Sequence, residues 1–247
     1  MGRAVNTLLE LREVTKRFGG LVALDGLSVH VDSGEFLGLI GPNGAGKTTA
    51  FGVLTGEQRP DSGRVYFHGD DVTRMPTHRR VARGIARTYQ IPRPFGEMTV
   101  LDNVRVAMMP DSVRRLIAER PPEGVDRELL RSVGFGEREA AMYPDQLSMG
   151  ELRKLELART LATEPEVLLL DEVFAGLTRG EIAQLSALLV AERRSGMTAI
   201  IVSHDLRSLA PLVDRVVVMS FGAVIAEGAF EEVLDNPLVR EAYLGQA

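Results

Sequence analysis

The sequence predicts an α/β domain organised on a parallel sheet, and three observations carry that prediction. Near-continuous aliphatic runs, FLGLI, VLLLD, TAIIVS and VVVMS, have the length and composition of strands buried on both faces. Amphipathic helical stretches separate the later runs, as a sheet covered by helices requires. The opening third instead alternates apolar and polar residues in LLELREVTKRF and VALDGLSVHV, which reads as antiparallel strands.

Taken in order, the antiparallel pair ends at the turn Asp32-Ser33-Gly34; EFLGLIG follows as a buried strand and KTTAFGVLTG as a helix. RPDSGRVYFHGDDV is turn-bounded strand material, and residues 77–86 read as a basic helix. From Gln90 to Asp145 strand-like runs vanish, and short helices are expected at 100–109, 112–119 and 126–133. This stretch reads as a small helical lobe. The division is therefore a core of residues 1–89 and 146–247 with a lobe at 90–145, all within one domain. Ser148-Met149-Gly150-Glu151 has the S-x-x-E spacing of a capping box and opens a helix with Leu152, Leu155, Leu157 and Ala158 on its apolar face. EVLLLDE is then a buried strand, 180–194 a helix, TAIIVSHD a strand and 206–213 a helix. Two short strands around Gly222 and helical turns over 230–244 close the chain.

Composition narrows the function. A net charge of −5 argues against nucleic acid as a partner, and basic runs such as His78-Arg79-Arg80 and Arg114-Arg115 read as solvated helix faces. The absence of cysteine excludes disulfides, thiolate metal sites and a catalytic thiol. The N-terminal stretch carries Glu10, Arg12 and Glu13 and is no signal peptide. No apolar run approaches the roughly 18 residues of a membrane span. The chain is expected to be soluble and to reach a membrane only through a partner.

The chemistry is concentrated in three places. Gly41-Pro42-Asn43-Gly44-Ala45-Gly46-Lys47-Thr48 matches G-x-x-x-x-G-K-[ST] between a buried strand and a helix. Glycines there let backbone N–H groups turn toward phosphate oxygens, and the helix that follows supplies its positive end. Lys47 would reach the β- and γ-phosphates, and the hydroxyl of Thr48 would ligate Mg²⁺. Asp171 ends an aliphatic strand where a metal carboxylate is needed, and Glu172 stands next to it for a water to be activated. His204, at the end of another buried strand, is placed to meet the γ-phosphate or that water. His30, His68 and His78 read as structural or exposed.

With these motifs in order, the sequence resembles the ATP-binding cassette (ABC) ATPases over nearly its whole length. Phe18 in VTKRFGG matches the aromatic that stacks on adenine, Gln90 in ARTYQ the Q-loop glutamine, and Leu147 to Glu151 the LSGGQ signature. The resemblance implies a P-loop nucleoside-triphosphatase (RecA-like) core with an antiparallel β subdomain and a small α-helical lobe. It implies ATP and Mg²⁺ as ligands, with nucleotide contacts from Phe18, residues 41–49 (Thr49 included) and, from the opposite subunit, Ser148, Gly150 and Glu151. Thr48, Gln90 and Asp171 would hold the metal; Glu172, His204, Gln90 and Lys47 would carry catalysis. Two such domains pair head to tail, as homodimer or heterodimer. The lobe docks a helix of a membrane permease, at the cytoplasmic face, and a solute-binding protein takes part indirectly.

Within the family, GIARTYQIPRPFGEMTVLDNVRVAMM and the ending VLDNPLVREAYLGQA look most like ATPases of branched-chain amino-acid importers. ATPases serving urea or short amides share these features, and lipopolysaccharide-export ATPases share the ending. A soluble ABC protein of repair or translation would carry a coiled-coil insertion or a second cassette, and this chain has neither. Departures from the family pattern are Met149 and Glu151 in the signature, Val173 after the catalytic glutamate, Thr178 for the D-loop aspartate and Ser203 before the histidine.

Overall fold

Consecutive residues of the aliphatic runs leave by opposite faces of one sheet. The structure, a computed structural model, describes residues 6–89, 91–109 and 124–244. Its larger sheet contains β3 (Phe36–Ile40), β6 (Ile85–Arg87), β7 (Val167–Asp171), β8 (Thr198–Val202), β9 (Arg215–Ser220) and β10 (Ala223–Gly228). The strand order is β10-β9-β3-β8-β7-β6, parallel throughout except for the β9–β10 hairpin. Leu168, Leu170, Ile201 and Val218 enter a core shared with the helices on one face. Val167, Leu169, Ile200 and Val217 enter a second core on the other. Burial on both faces explains why these strands read as unbroken aliphatic runs.

The second core is closed by an antiparallel sheet of β1 (Thr7–Phe18), β2 (Leu21–Asp32), β4 (Ser62–Phe67) and β5 (Asp70–Asp71), ordered β2-β1-β4-β5. Between the two sheets lies α1 (Lys47–Thr55), which buries Phe51, Val53 and Leu54.

The basic helix expected at 77–86 is shorter than its sequence suggests. It is α2 (Thr77–Ala82), and Ile85–Arg87 is instead the edge strand β6, paired in parallel with β7. Gly84 turns the chain at φ +98, a conformation that side-chain-bearing residues rarely adopt. Within the same run, Arg80 is no solvated face: it is only 1% exposed. Its guanidinium donates to the carbonyls of Val53, Leu54, Val72, Thr73 and Met75. Two of these acceptors lie in the last turn of α1, where carbonyls lack helical partners and a cation is favoured. Burial pulls the Arg80 pKa down to about 10. Arg114-Arg115 and the helix expected at 112–119 lie outside the described residues.

The helical part begins with α3 (Val100–Ala107), capped by Thr99, whose hydroxyl accepts from the Asp102 amide. The buried Asn103 amide donates to the carbonyls of Phe95, Met98 and Thr99 and accepts from the Phe95 amide. It thereby fastens the preceding loop. Helices α4 (Val125–Ser132), α5 (Glu137–Ala140) and α6 (Met149–Leu161) follow. After β7 come α7 (Arg179–Arg194) and, after β8, α8 (Leu206–Leu209). The latter is half the expected length, because Pro211 supplies no backbone N–H. The closing segment is likewise split into α9 (Phe230–Asp235) and α10 (Pro237–Leu244), since Asn236 precedes a proline and is extended.

Candidate active site

Because β8 lies between β3 and β7, the C-terminal ends of these three strands are neighbours. The loop after β3 is residues 41–46. Gly41 has φ +149, and a Cβ there would stand 2.2 Å from the Met219 carbonyl oxygen; at Gly46 it would stand 2.5 Å from that of Ala23. Only glycine fits either place. Helix α1 starts at Gly46 with no side-chain cap and no acidic residue in its first turn, so its N–H groups and positive end are unopposed. Asn43, Gly44 and Thr48 are exposed, Thr49 is half-buried and Lys47 is buried. The Lys47 ammonium donates to the carbonyls of Gly41 (2.6 Å) and Pro42 (2.9 Å). Burial lowers its pKa, opposed by the nearby negative charges of Glu172 and Asp171.

At the end of β7, Asp171 is buried and Glu172 turns out of the strand at φ +53. Such a backbone is strained for a residue with a side chain and is found where function demands it. It is held from two sides: the Glu172 amide donates to Val202, and its carbonyl accepts from Arg153 of α6 at 3.0 Å. The Glu172 carboxylate accepts from the His204 backbone amide at 3.3 Å and faces the His204 imidazole, Nε2 to Oε1 3.4 Å. The imidazole is half-exposed, open to whatever stands beyond the carboxylate.

The stretch 148–151 forms the capping box its spacing predicts. The Ser148 hydroxyl accepts from the Glu151 amide (3.2 Å), and the Glu151 carboxylate accepts from the Ser148 amide (2.7 Å). Ser148 and Met149 are exposed while Gly150 is buried. A Cβ on Gly150 would stand 2.3 Å from the Glu181 carboxylate. Glu181 is in turn held by a second capping box, with Thr178 as N-cap of α7. This T-x-x-E pattern was readable in the sequence, and it explains the Thr178 departure: Asp and Thr both serve as N-caps.

Phe18, at the end of β1, is 46% exposed and lies outside the core, with the Lys16 ammonium 5.4 Å from its ring centroid. Gln90 lies outside the described residues. Its neighbour Tyr89 donates its amide to Glu156 of α6 at 2.7 Å. Two further contacts near the site had no sequence signal, because their partners are remote in the chain. Arg153 holds the Glu172 carbonyl, and Arg87 pairs with Asp171.

Burial pushes the Glu156 carboxyl up to about 7, against the Tyr89 amide and the cations Arg153, Arg159 and Arg87, all of which lower it. With a folded pKa above the unfolded one, its contribution to stability is fully present below 4.5 and is lost as pH rises through about 7. Glutamine keeps the acceptor for Tyr89 without the charge. Glu156→Gln is expected to stabilise the fold by about 2 kcal/mol at pH 8 and by less than about 1 at pH 5, as measured by urea denaturation at both values.

A glycine-lined loop after a central parallel strand, feeding a bare helix start, is how P-loop nucleoside triphosphatases hold their substrate, and this chain is of that class. Residues 24–175 match the profile described as ABC transporter, and residues 223–247 match that of the branched-chain amino acid ATP-binding cassette transporter. The chain belongs to the ABC transporter family, whose members bind ATP and couple its hydrolysis to transport. It is 36% identical to the high-affinity branched-chain amino acid transport ATP-binding protein BraF of Pseudomonas aeruginosa, across 97% of this chain and 98% of that one. It is 33% identical to the lipopolysaccharide export system ATP-binding protein LptB of Acidithiobacillus ferridurans, across 98% of each. Among solved structures it resembles the ADP conformation of MJ1267, an ATP-binding cassette of an ABC transporter, at TM-score 0.84 and 31% identity, covering 97% of this chain and 99% of the other. The dimeric MJ0796, a bacterial ABC transporter cassette, superposes at TM-score 0.80 and 25% identity, covering 90% and 99%. Among the described residues no helix is long and apolar enough to cross a membrane.

The donor chemistry also fits magnesium. Among the described residues no group of three or more His, Asp or Glu forms a ready cage. Asp171 and Thr48 offer one carboxylate and one hydroxyl, the sparse set of an ion that retains phosphate and water ligands.

Proposed function

We propose that this chain is the ATP-hydrolysing subunit of an importer of branched-chain amino acids, working at the cytoplasmic face of a membrane through separate permease subunits and, indirectly, a solute-binding protein. The convergence of the phosphate loop, Asp171-Glu172 and His204 at one sheet edge carries the hydrolytic part of this reading. The C-terminal profile match and the relatives' names support the substrate.

In this reading the amides of the loop over 41–49 and Lys47 take the phosphates, and Phe18 stacks on adenine. Thr48, Asp171 and Gln90 hold Mg²⁺, which neutralises charge on the transferring phosphoryl group. Glu172 accepts a proton from water, its carboxylate oriented by the His204 amide and imidazole. Ser148 and Gly150 of a second subunit complete the site, with residues 90–145 as the lobe that docks a permease helix. Because Glu151 is folded back on the Ser148 amide, its charge is kept from the phosphate. Glu151→Gln is therefore expected to change ATP-driven dimerisation by less than about twofold, the box surviving with either side chain, as checked by size-exclusion chromatography over a range of ATP concentrations.

The transport reading is tested by reconstituting the chain with its permease and binding protein in proteoliposomes and measuring ATP hydrolysis. Leucine, isoleucine or valine should stimulate it. Stimulation by urea, a short amide or lipopolysaccharide, and none by these amino acids, contradicts the reading.

A further inference from the structure

Arg87, at the end of β6, stands between two carboxylates. One guanidinium nitrogen donates to Asp171 Oδ2 at 2.6 Å and the other to Glu57 Oε2 at 3.1 Å. The side chains of Arg87 and Asp171 are 7% and 4% exposed. The guanidinium also lies over two rings, 5.6 Å from the centroid of Phe51 and 5.2 Å from that of Tyr89. Glu57 Oε1 accepts from the Tyr89 hydroxyl at 2.7 Å. The residue between them, Thr88, accepts from the Asp171 amide through its hydroxyl and donates its own amide to Leu169. The end of β6 thus grips the end of β7 through backbone and side chain together. Glu57, Arg87 and Tyr89, with Glu156 and Arg159 of α6, line a cleft of about 250 Å³ beside the helical part.

We propose that Arg87 is a positioning residue for hydrolysis: it fixes the Asp171 carboxylate and ties it, through Glu57 and Tyr89, to the wall of this cleft. An ion held by a single protein carboxylate depends on how that carboxylate is oriented, and groups that orient metal ligands commonly matter 10–100-fold for metal affinity. A side chain shifted at Tyr89 acts on Glu57 and the guanidinium, and so on Asp171. The inference rests on the proposed magnesium and nucleotide site.

The test is binding of the fluorescent analogue methylanthraniloyl-ATP, with EDTA and then with Mg²⁺, to the parent chain and to Arg87→Gln, Arg87→Lys and Glu57→Gln. In EDTA all four should bind within about twofold of one another, since Lys47 and the loop are untouched. The strengthening that Mg²⁺ gives the parent should shrink about tenfold in Arg87→Gln, return largely in Arg87→Lys and be partly lost in Glu57→Gln. A merely structural arginine would alter both conditions alike. If Arg87→Gln retains the parent's Mg²⁺ effect, the proposal is overturned while the site stands. If the parent itself shows no Mg²⁺ effect, the site reading fails and this inference with it. Should Arg87→Gln not fold, Glu57→Gln decides, and an unchanged Mg²⁺ effect there overturns the proposal.

Discussion

Glu172→Gln is expected to lower ATP turnover by about a thousandfold while leaving ATP binding intact. The amide has the shape of the carboxylate and can still accept from the His204 N–H, which lies 3.3 Å from Oε2. It cannot take a proton from water. Lys47 and the bare start of α1, which bind phosphate in the proposed mechanism, are unaffected. Nucleotide should therefore bind and remain, and the variant should elute as a dimer in ATP when the parent does not. Phosphate release and size-exclusion chromatography read the two halves of this prediction. Normal turnover would remove Glu172 from the role of base.

The largest expected effect on stability is at Arg80. Methionine there keeps the length of the side chain but leaves the carbonyls of Leu54, Thr73 and Met75 without the donor that Arg80 supplies, while those of Val53 and Val72 keep only a backbone amide each. Leaving a buried acceptor unsatisfied costs about 1–3 kcal/mol, so several together make a loss on the order of 3–5 kcal/mol. Arg80→Met should lower stability by that amount in urea denaturation. Arg80→Lys should recover only part of it, because an ammonium offers fewer donors and no planar fork. Arg80 makes none of the contacts proposed for nucleotide or metal, so turnover per folded molecule should change little in either variant.

Much of the fold was legible because its signals are local. The paired cores demand unbroken aliphatic runs, and such runs mark β3, β7, β8 and β9. The phosphate loop declares itself by glycines that the close approach of Met219 and Ala23 makes obligatory. The capping box at Ser148 and Glu151 is likewise a matter of spacing. What stayed hidden depends on distant partners. Strand β6 is three residues long and exists because β7 lies beside it. Arg87 and Asp171 are 84 positions apart, and no local pattern couples them. Arg80 sat in a basic run whose neighbours suggested solvent, and only the folding of α2 against α1 turned it inward. Thr178 shows a third case: the T-x-x-E cap was written plainly, but expectation of an aspartate obscured it.

The proposed mechanism stands or falls on the active site being shared between two chains, with Lys47 of one facing Ser148 of the other. Lys47→Ala and Ser148→Arg should each abolish ATP hydrolysis when assayed alone. Mixed in equal amounts, half of the dimers carry one lesion of each kind, both in a single site, which leaves the other site whole. The mixture should recover roughly a quarter of the parent's ATPase rate under random pairing in a two-fold dimer. If the mixture stays as inactive as its components, the site is not shared between two copies of this chain, and the proposed arrangement is contradicted.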